Sequence, residues 1–232
     1  MRFSLTTALL GAAAIVSSVS ADLYNRLNMN DSVVLFIDHQ TGLMNLVRDY
    51  DPDYYLNQVM GIAEMTKHFN LPTIITTSRE DGPNGVFLPA IKEMFPDAPY
   101  IARPGQINAW DHEGFVEAVR KTGKKQLIIS GIVTDVCVSF VSLSAKKAGF
   151  EVFVVTDASG TFNDPVRLAS WFRMQQAGVQ LMNYFSVACE LARDWRTDLQ
   201  GLADMFAKRL PSYARVMDSF NGAQAALSNS TN

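Results

Sequence analysis

The chain has 232 residues, 48% of them hydrophobic, and a formal net charge of −3. That is enough apolar material for one sizeable core. Its 20 Lys and Arg residues are scattered, which argues against nucleic-acid binding and against a polybasic membrane surface.

In chain order, residues 1–21 (MRFSLTTALLGAAAIVSSVSA) come first. They hold Arg2, then an acid-free apolar and small-residue run, then Val19-Ser20-Ala21. This is the pattern of a signal peptide cleaved after Ala21, and so of a secreted protein. Ser, Thr and Gly dilute the run too far for a spanning helix of about 20 strongly apolar residues, so no membrane association is expected. VVLFID (33–38), LPTIITTS (71–78), QLIISG (126–131), EVFVVTD (151–157) and VQLMNY (179–184) read as buried strands, with YIAR (100–103) a shorter, weaker one. Their apolar runs are continuous rather than alternating, which suggests a sheet covered on both faces.

Helical patterns lie between the strands. Asp51-Pro52-Asp53 opens the first, followed by YYLNQVMGIAEMTKHF. Asp111 opens HEGFVEAVRKTG, which stops at Gly123. Residues 137–148 make a third, up to Gly149. Asp164-Pro165 opens a fourth, which ends at Gly178, and residues 187–208 read as one long helix. Alternating strands and helices predict an α/β class: a three-layer α/β/α sandwich with a mainly parallel, Rossmann-like sheet. The reading is one domain over residues 22–220 and a flexible tail over residues 221–232.

No G-x-G-x-x-G, no G-x-x-x-x-G-K-[ST] and no G-x-S-x-G occurs, and the three histidines and two cysteines have no metal-ligand spacing. No cofactor and no metal is expected. In an open parallel sheet, ligands bind beyond the carboxyl ends of the strands. Asp38, Ser78-Arg79-Glu80, Arg103 and Asp157 end strands there, and the segment Gly131 to Cys137 follows another. Cys137 also stands at the first turn of a predicted helix, where the helix dipole and unpaired N–H groups are expected to depress its pKa. A thiol, a carboxylate and a fixed cation are the parts of a cysteine hydrolase. Arg103 stays protonated and cannot be a base, so the base is Asp38. As bland alternatives, Cys137 is a small buried hydrophobe, Asp38 a cap or core ion pair, and Arg103 a surface pair. A Cys137–Cys189 disulfide is the bland outcome in an oxidising compartment.

IDHQ at the first strand end, ARPGQINAWD, and SGIVTDVCV before a helix resemble the isochorismatase-like cysteine hydrolases, and the YcaC-like subgroup most closely. TTSREDGPNG, VVTDASGTFN and VACELARDWR resemble that subgroup too, so the likeness spans Leu27 to Ser219. It implies a three-layer α/β fold and an Asp–Lys–Cys triad. Asp38 and Cys137 match two members, and Arg103 occupies the lysine's place. It also implies a non-proline cis peptide between Ile132 and Val133. That bond would turn the Val133 N–H, with that of Cys137, toward one point as an oxyanion hole. SREDGPNG lacks the histidine of the nicotinamidases' metal site, so no zinc is implied. Gln40, Gln106, Asn108 and Thr134 are candidate substrate donors; Gln40 and Asn108 equally read as loop ties. Relatives in the subgroup commonly form rings, which implies a homo-oligomer.

The first functional reading is therefore a cysteine hydrolase acting on a C–N bond of a small molecule through a thioester. Its rivals are a catalytically quiet secreted binding or effector protein, and a true isochorismatase that cleaves a vinyl ether without the thiol.

Overall fold

The computed structural model describes residues 24–230. The signal-peptide reading of residues 1–21 lies outside them. Among the described residues, six strands form one all-parallel sheet in the order β3-β2-β1-β4-β5-β6. They are β1 (Ser32–Ile37), β2 (Thr73–Ser78), β3 (Tyr100–Arg103), β4 (Gln126–Ile132), β5 (Glu151–Gly160) and β6 (Gln180–Met182). The direction of winding reverses between β1 and β4, the switch point at which doubly wound sheets open a crevice for ligands.

Every residue of β1, β2 and β4 is buried. The runs are apolar throughout because both faces are covered. Val34 and Phe36 join one apolar cluster and Val33, Leu35 and Ile37 the other. Helices α1 (Pro52–His68), α2 (Pro89–Met94), α6 (Tyr184–Ala192) and α7 (Leu199–Arg209) cover the first face, and α3 (Glu113–Lys121), α4 (Ser139–Lys147) and α5 (Asp164–Gln176) the second. The three-layer α/β/α sandwich is thus as expected.

Helix starts follow local chemistry. The Asp51 side chain accepts from the N–H groups of Asp53 and Tyr54, with Pro52 as the first helical residue of α1. Asn163 caps α5, and the His112 side chain, not Asp111, caps α3.

Three expectations are corrected. The single helix over residues 187–208 is two. Arg193 takes φ 67, and Asp194 and Asp198 cap a one-turn 3-10 helix (Trp195–Thr197) and α7. Both aspartates prefer capping to a helix interior. Residues 221–230, read as a loose tail, continue helix α8 (Pro211–Ser230), whose Ala and Gln residues are good helix formers. Asp157 lies inside β5, three residues before its end, rather than at it.

Asp157 is 7% exposed, and its Oδ1 accepts the N–H of Tyr184 (2.8 Å) at the start of α6. Burial pushes its carboxyl up to about 6, against the pull of that hydrogen bond. The native chain then holds this proton more tightly than the unfolded chain, so stability falls as pH rises from about 4 to 6. Asp157→Asn keeps the accepting oxygen. It should raise stability at pH 7 by about 1–3 kcal/mol and change nothing at pH 4, as read by urea unfolding at both pH values.

Gly131 of β4 is fixed by space. A Cβ there would lie 2.3 Å from the Ile37 carbonyl oxygen and 3.0 Å from Val138 Cγ2. Gly131→Ala should destabilise by roughly 1–3 kcal/mol in thermal melts, because it forces β1 away from β4.

Candidate active site

Asp38 directly follows β1 with φ 54, a left-handed conformation that Asp tolerates better than most residues. Its side chain is completely buried. On the next strand of the switch point, β4 is followed by a π-helical turn, Thr134–Val138, that carries Cys137 and leads into α4. The peptide bond between Ile132 and Val133, just ahead of that turn, is cis. Ile37 and Gly131 are partners in the β1–β4 ladder, so the ends of these two strands bring the carboxylate and the thiol together.

Arg103 comes from β3, two strands away from β1, and is 1% exposed. Backbone and hydroxyl oxygens hold it in place. Its Nε donates to Thr76 Oγ1 and the Thr77 carbonyl (both 3.0 Å), and its Nη1 to the carbonyls of Gln106 (2.6 Å) and Ile107 (3.1 Å). Its Nη2 donates to Asp38 Oδ1 in a fully buried ion pair. The second oxygen of Asp38, Oδ2, has no partner of good hydrogen-bond geometry, and the Cys137 thiol is the neighbouring donor that couples to this carboxylate.

Cys137 is 8% exposed and forms no disulfide. Cys189, on α6, is also free, and the two pack into apolar clusters on opposite faces of the sheet, which rules out the bridge. The expected depression of the Cys137 pKa is not found. Burial pushes the thiol well up, and the charge and hydrogen bond of Asp38 push it the same way. The Val133 backbone and the charge of Arg103 pull it down without reversing the shift. Burial also raises the Asp38 carboxyl, with Arg103 opposing. The permanent guanidinium charge beside Asp38 favours its carboxylate form, and burial together with the Asp38 charge favours the neutral thiol. A carboxylate with a raised pKa is a better base, so this geometry can move the thiol proton as the sulfur attacks.

The four candidate substrate donors divide. Gln40 is a loop tie. Its Nε2 donates to the carbonyls of Ser78 and Gly85, and its Oε1 accepts the Ser78 N–H, so its hydrogen-bonding groups face backbone. Asn108 ties loops as well, donating to Ser144 Oγ and accepting the Trp110 N–H. Gln106 Oε1 and Thr134 Oγ1, by contrast, are buried with no partner. Two residues escaped the sequence reading. Thr76 seats Arg103. His39 is fully buried, bonds Ser130 Oγ through Nε2 (3.1 Å), and is kept neutral by burial, which lowers its pKa to about 3. The threonines of TIITTS were the available signal, since they are polar side chains in a strand buried on both faces.

Among the described residues, no group of three or more His, Cys, Asp and Glu side chains is placed to hold a metal ion, and no helix is long and apolar enough to cross a membrane. A groove of about 740 Å³ lies at the opposite end of the sheet, lined by Pro72, Thr73, Pro99 and Lys121 among others.

The Isochorismatase domain profile matches residues 32–184, which contain every element of this constellation. The chain belongs to the isochorismatase family. It is 59% identical over 198 residues to a protein of Escherichia coli K12 named "Probable hydrolase YcaC", covering 85% of this chain and 95% of that one. The 1.8 Å crystal structure of Escherichia coli YcaC, described as an octameric hydrolase of unknown specificity, superimposes with a TM-score of 0.85 at 60% identity, covering 86% of this chain and 98% of that one. YcaC from Pseudomonas aeruginosa, with hexane-2,5-diol and covalent acrylamide, superimposes with a TM-score of 0.84 at 63% identity, covering 85% and 98%. The isochorismatase fold and the likeness to YcaC proteins read from the sequence are therefore established.

Proposed function

We propose that this isochorismatase-family chain is a cysteine hydrolase that cleaves a C–N bond of a small, amide-type substrate through a thioester. The observation that carries the reading is the buried line Arg103–Asp38–Cys137, which places one carboxylate between a fixed cation and a protonated thiol. Asp38 takes the thiol proton as the Cys137 sulfur attacks the carbonyl carbon. The N–H groups of Val133 and Cys137 stabilise the oxyanion. Asp38 returns the proton to the leaving amine and then activates the water that cleaves the thioester. Arg103 holds Asp38 in place and shuttles no proton.

The relatives lend support. YcaC proteins are named as hydrolases, and the Pseudomonas aeruginosa protein carries a covalent acrylamide, a small neutral amide that reacts with nucleophiles. Gln106 Oε1 and Thr134 Oγ1 are the buried groups free to meet an amide N–H and a carbonyl. The rival in which a vinyl ether is cleaved gives the thiol no role.

The test is an amide screen with acid-quenched peptide mass spectrometry. The expected result is a hydroxylamine-labile acyl mass on the peptide containing Cys137, and no turnover by Cys137→Ala. Full activity in Cys137→Ala would overturn the reading.

Two further parts belong to the proposal. The chain is a secreted protein with cleavage after Ala21, which N-terminal sequencing of exported protein would reveal. It assembles as a homo-oligomer of the ring type, like the octameric relative, and native mass spectrometry should find the assembly.

A further inference from the structure

One hydrogen-bond network outside the Asp38–Arg103–Cys137 line ends on the turn that carries the nucleophile. Past Asp157, β5 runs on to Gly160 and delivers Thr161, which is fully buried. Thr161 Oγ1 donates to Asp135 Oδ1 (2.6 Å), and Asp135 lies in the π-helical turn two residues before Cys137. The other polar atoms of Thr161 are held from the opposite side. Its N–H donates to Asp49 Oδ1 (2.8 Å), and its carbonyl accepts the N–H groups of Arg48 (2.8 Å) and Asp49 (3.3 Å).

The segment around Asp49 is itself pinned. The Asp49 side chain is fully buried, and Arg167 Nη1 donates to the Asp49 carbonyl (2.7 Å) while its guanidinium lies over the Tyr50 ring (4.7 Å). Space fixes the approach too. A Cβ on Gly160 would stand 2.5 Å from Val47 Cγ1, so the end of β5 is pressed against the chain leading to Asp49.

We propose that Thr161 is a positioning residue for Cys137: its hydroxyl clamps the nucleophile turn, through Asp135, to the anchored segment Arg48–Tyr50. The inference rests on the reading of Cys137 as nucleophile. The clamp sets how close the thiol stands to the carboxylate of Asp38. Releasing it lets the turn drift, and the thiol then loses the neighbour that holds its pKa up. Displacements on the order of 1 Å can cost an enzyme about a hundredfold in rate.

Thr161→Val keeps the side-chain shape and removes the donor. The probe is iodoacetamide labelling of the full chain from pH 5 to 10, read at Cys137 by peptide mass spectrometry, with Cys189 as internal control. The expected result is a fall of about one unit in the apparent pKa of Cys137. Cys189 should be unchanged, and Thr161→Ser should restore the native profile. Asp135→Ala cuts the same hydrogen bond from the other end and should give the same shift, which covers the case in which one variant fails to fold. A variant with a lower melting temperature but a native Cys137 profile would mean a merely structural hydroxyl and would overturn the proposal. Crystal structures of wild type and Thr161→Val give a readout independent of reactivity: superimposable turns overturn the proposal whatever the labelling shows, and it stands only where a displaced turn accompanies the shifted Cys137 profile. Full amide hydrolysis by Cys137→Ala would sink the nucleophile reading instead, and the structural comparison would still decide whether Thr161 positions the turn.

Discussion

Asp38→Asn is expected to separate two properties of Cys137 that usually move together, its acidity and its usefulness. The variant removes the proton acceptor, so amide hydrolysis should fall by about 10²–10⁴-fold, the span that a positioned acid–base group contributes. The thiol itself should become more acidic. After burial, the carboxylate charge of Asp38 and its hydrogen bond are the largest causes holding that pKa up, while Arg103 and the Val133 backbone pull it down. With asparagine in place the guanidinium stays, and the nearest anion it can stabilise is the thiolate. Iodoacetamide labelling of Cys137 should therefore shift to lower pH in the variant even as turnover collapses. A shift to higher pH would mean that Asp38 acts on the thiol in some way other than holding its proton. Asparagine is the substitution of choice because position 38 is left-handed, a conformation that Asn also adopts readily.

Removing the cation has the largest structural effect. Arg103→Met leaves the fully buried Asp38 carboxylate without its partner and strips donors from Thr76 Oγ1 and from the carbonyls of Thr77, Gln106 and Ile107. Breaking a buried ion pair from one side costs about 3–5 kcal/mol, a large part of the roughly 5–15 kcal/mol that holds a domain together. Urea unfolding at pH 7 should show that loss. A midpoint within about 1 kcal/mol of wild type would mean that Asp38 takes up a proton and relaxes at little cost. Arg103→Lys should fall between the two. An ammonium supplies charge, but its three donors cannot replace a planar fork with five. The departure from the Asp–Lys–Cys pattern is thus built into the surroundings of residue 103, whose acceptors are set for a guanidinium.

Much of this was legible in the chain itself. VVLFID, LPTIITTS and QLIISG are apolar without alternation because both faces of the sheet are covered, and that pattern alone identifies central strands. Asp38, Arg103 and Cys137 stood out because they end strands or follow them, in a chain that offers few other chemical groups. The direction of the Cys137 shift was not legible. A helix start argues for acidity, but burial and the carboxylate of a strand about a hundred residues away argue the other way and are stronger. Gln40 and Asn108 were ambiguous for a related reason. An amide near a strand end reads the same whether it faces a substrate or a carbonyl of its own chain. Thr76 was signalled only by type, as a polar side chain in a strand buried on both faces, and Thr161 not at all, since only the fold reveals what its hydroxyl touches.

Three of the oxygens that seat Arg103 are main-chain carbonyls, two of them from Gln106 and Ile107 in the loop after β3. A carbonyl belongs to the backbone, so the side chains of that loop can be rewritten by mutation while the cation keeps its seat. Gln106 carries both duties at one position, with its carbonyl on the guanidinium and its amide oxygen unclaimed. The loop is accordingly the natural place to diversify when evolving new substrate ranges on this scaffold: a library over residues 104–107 samples recognition while the reactive core stays intact.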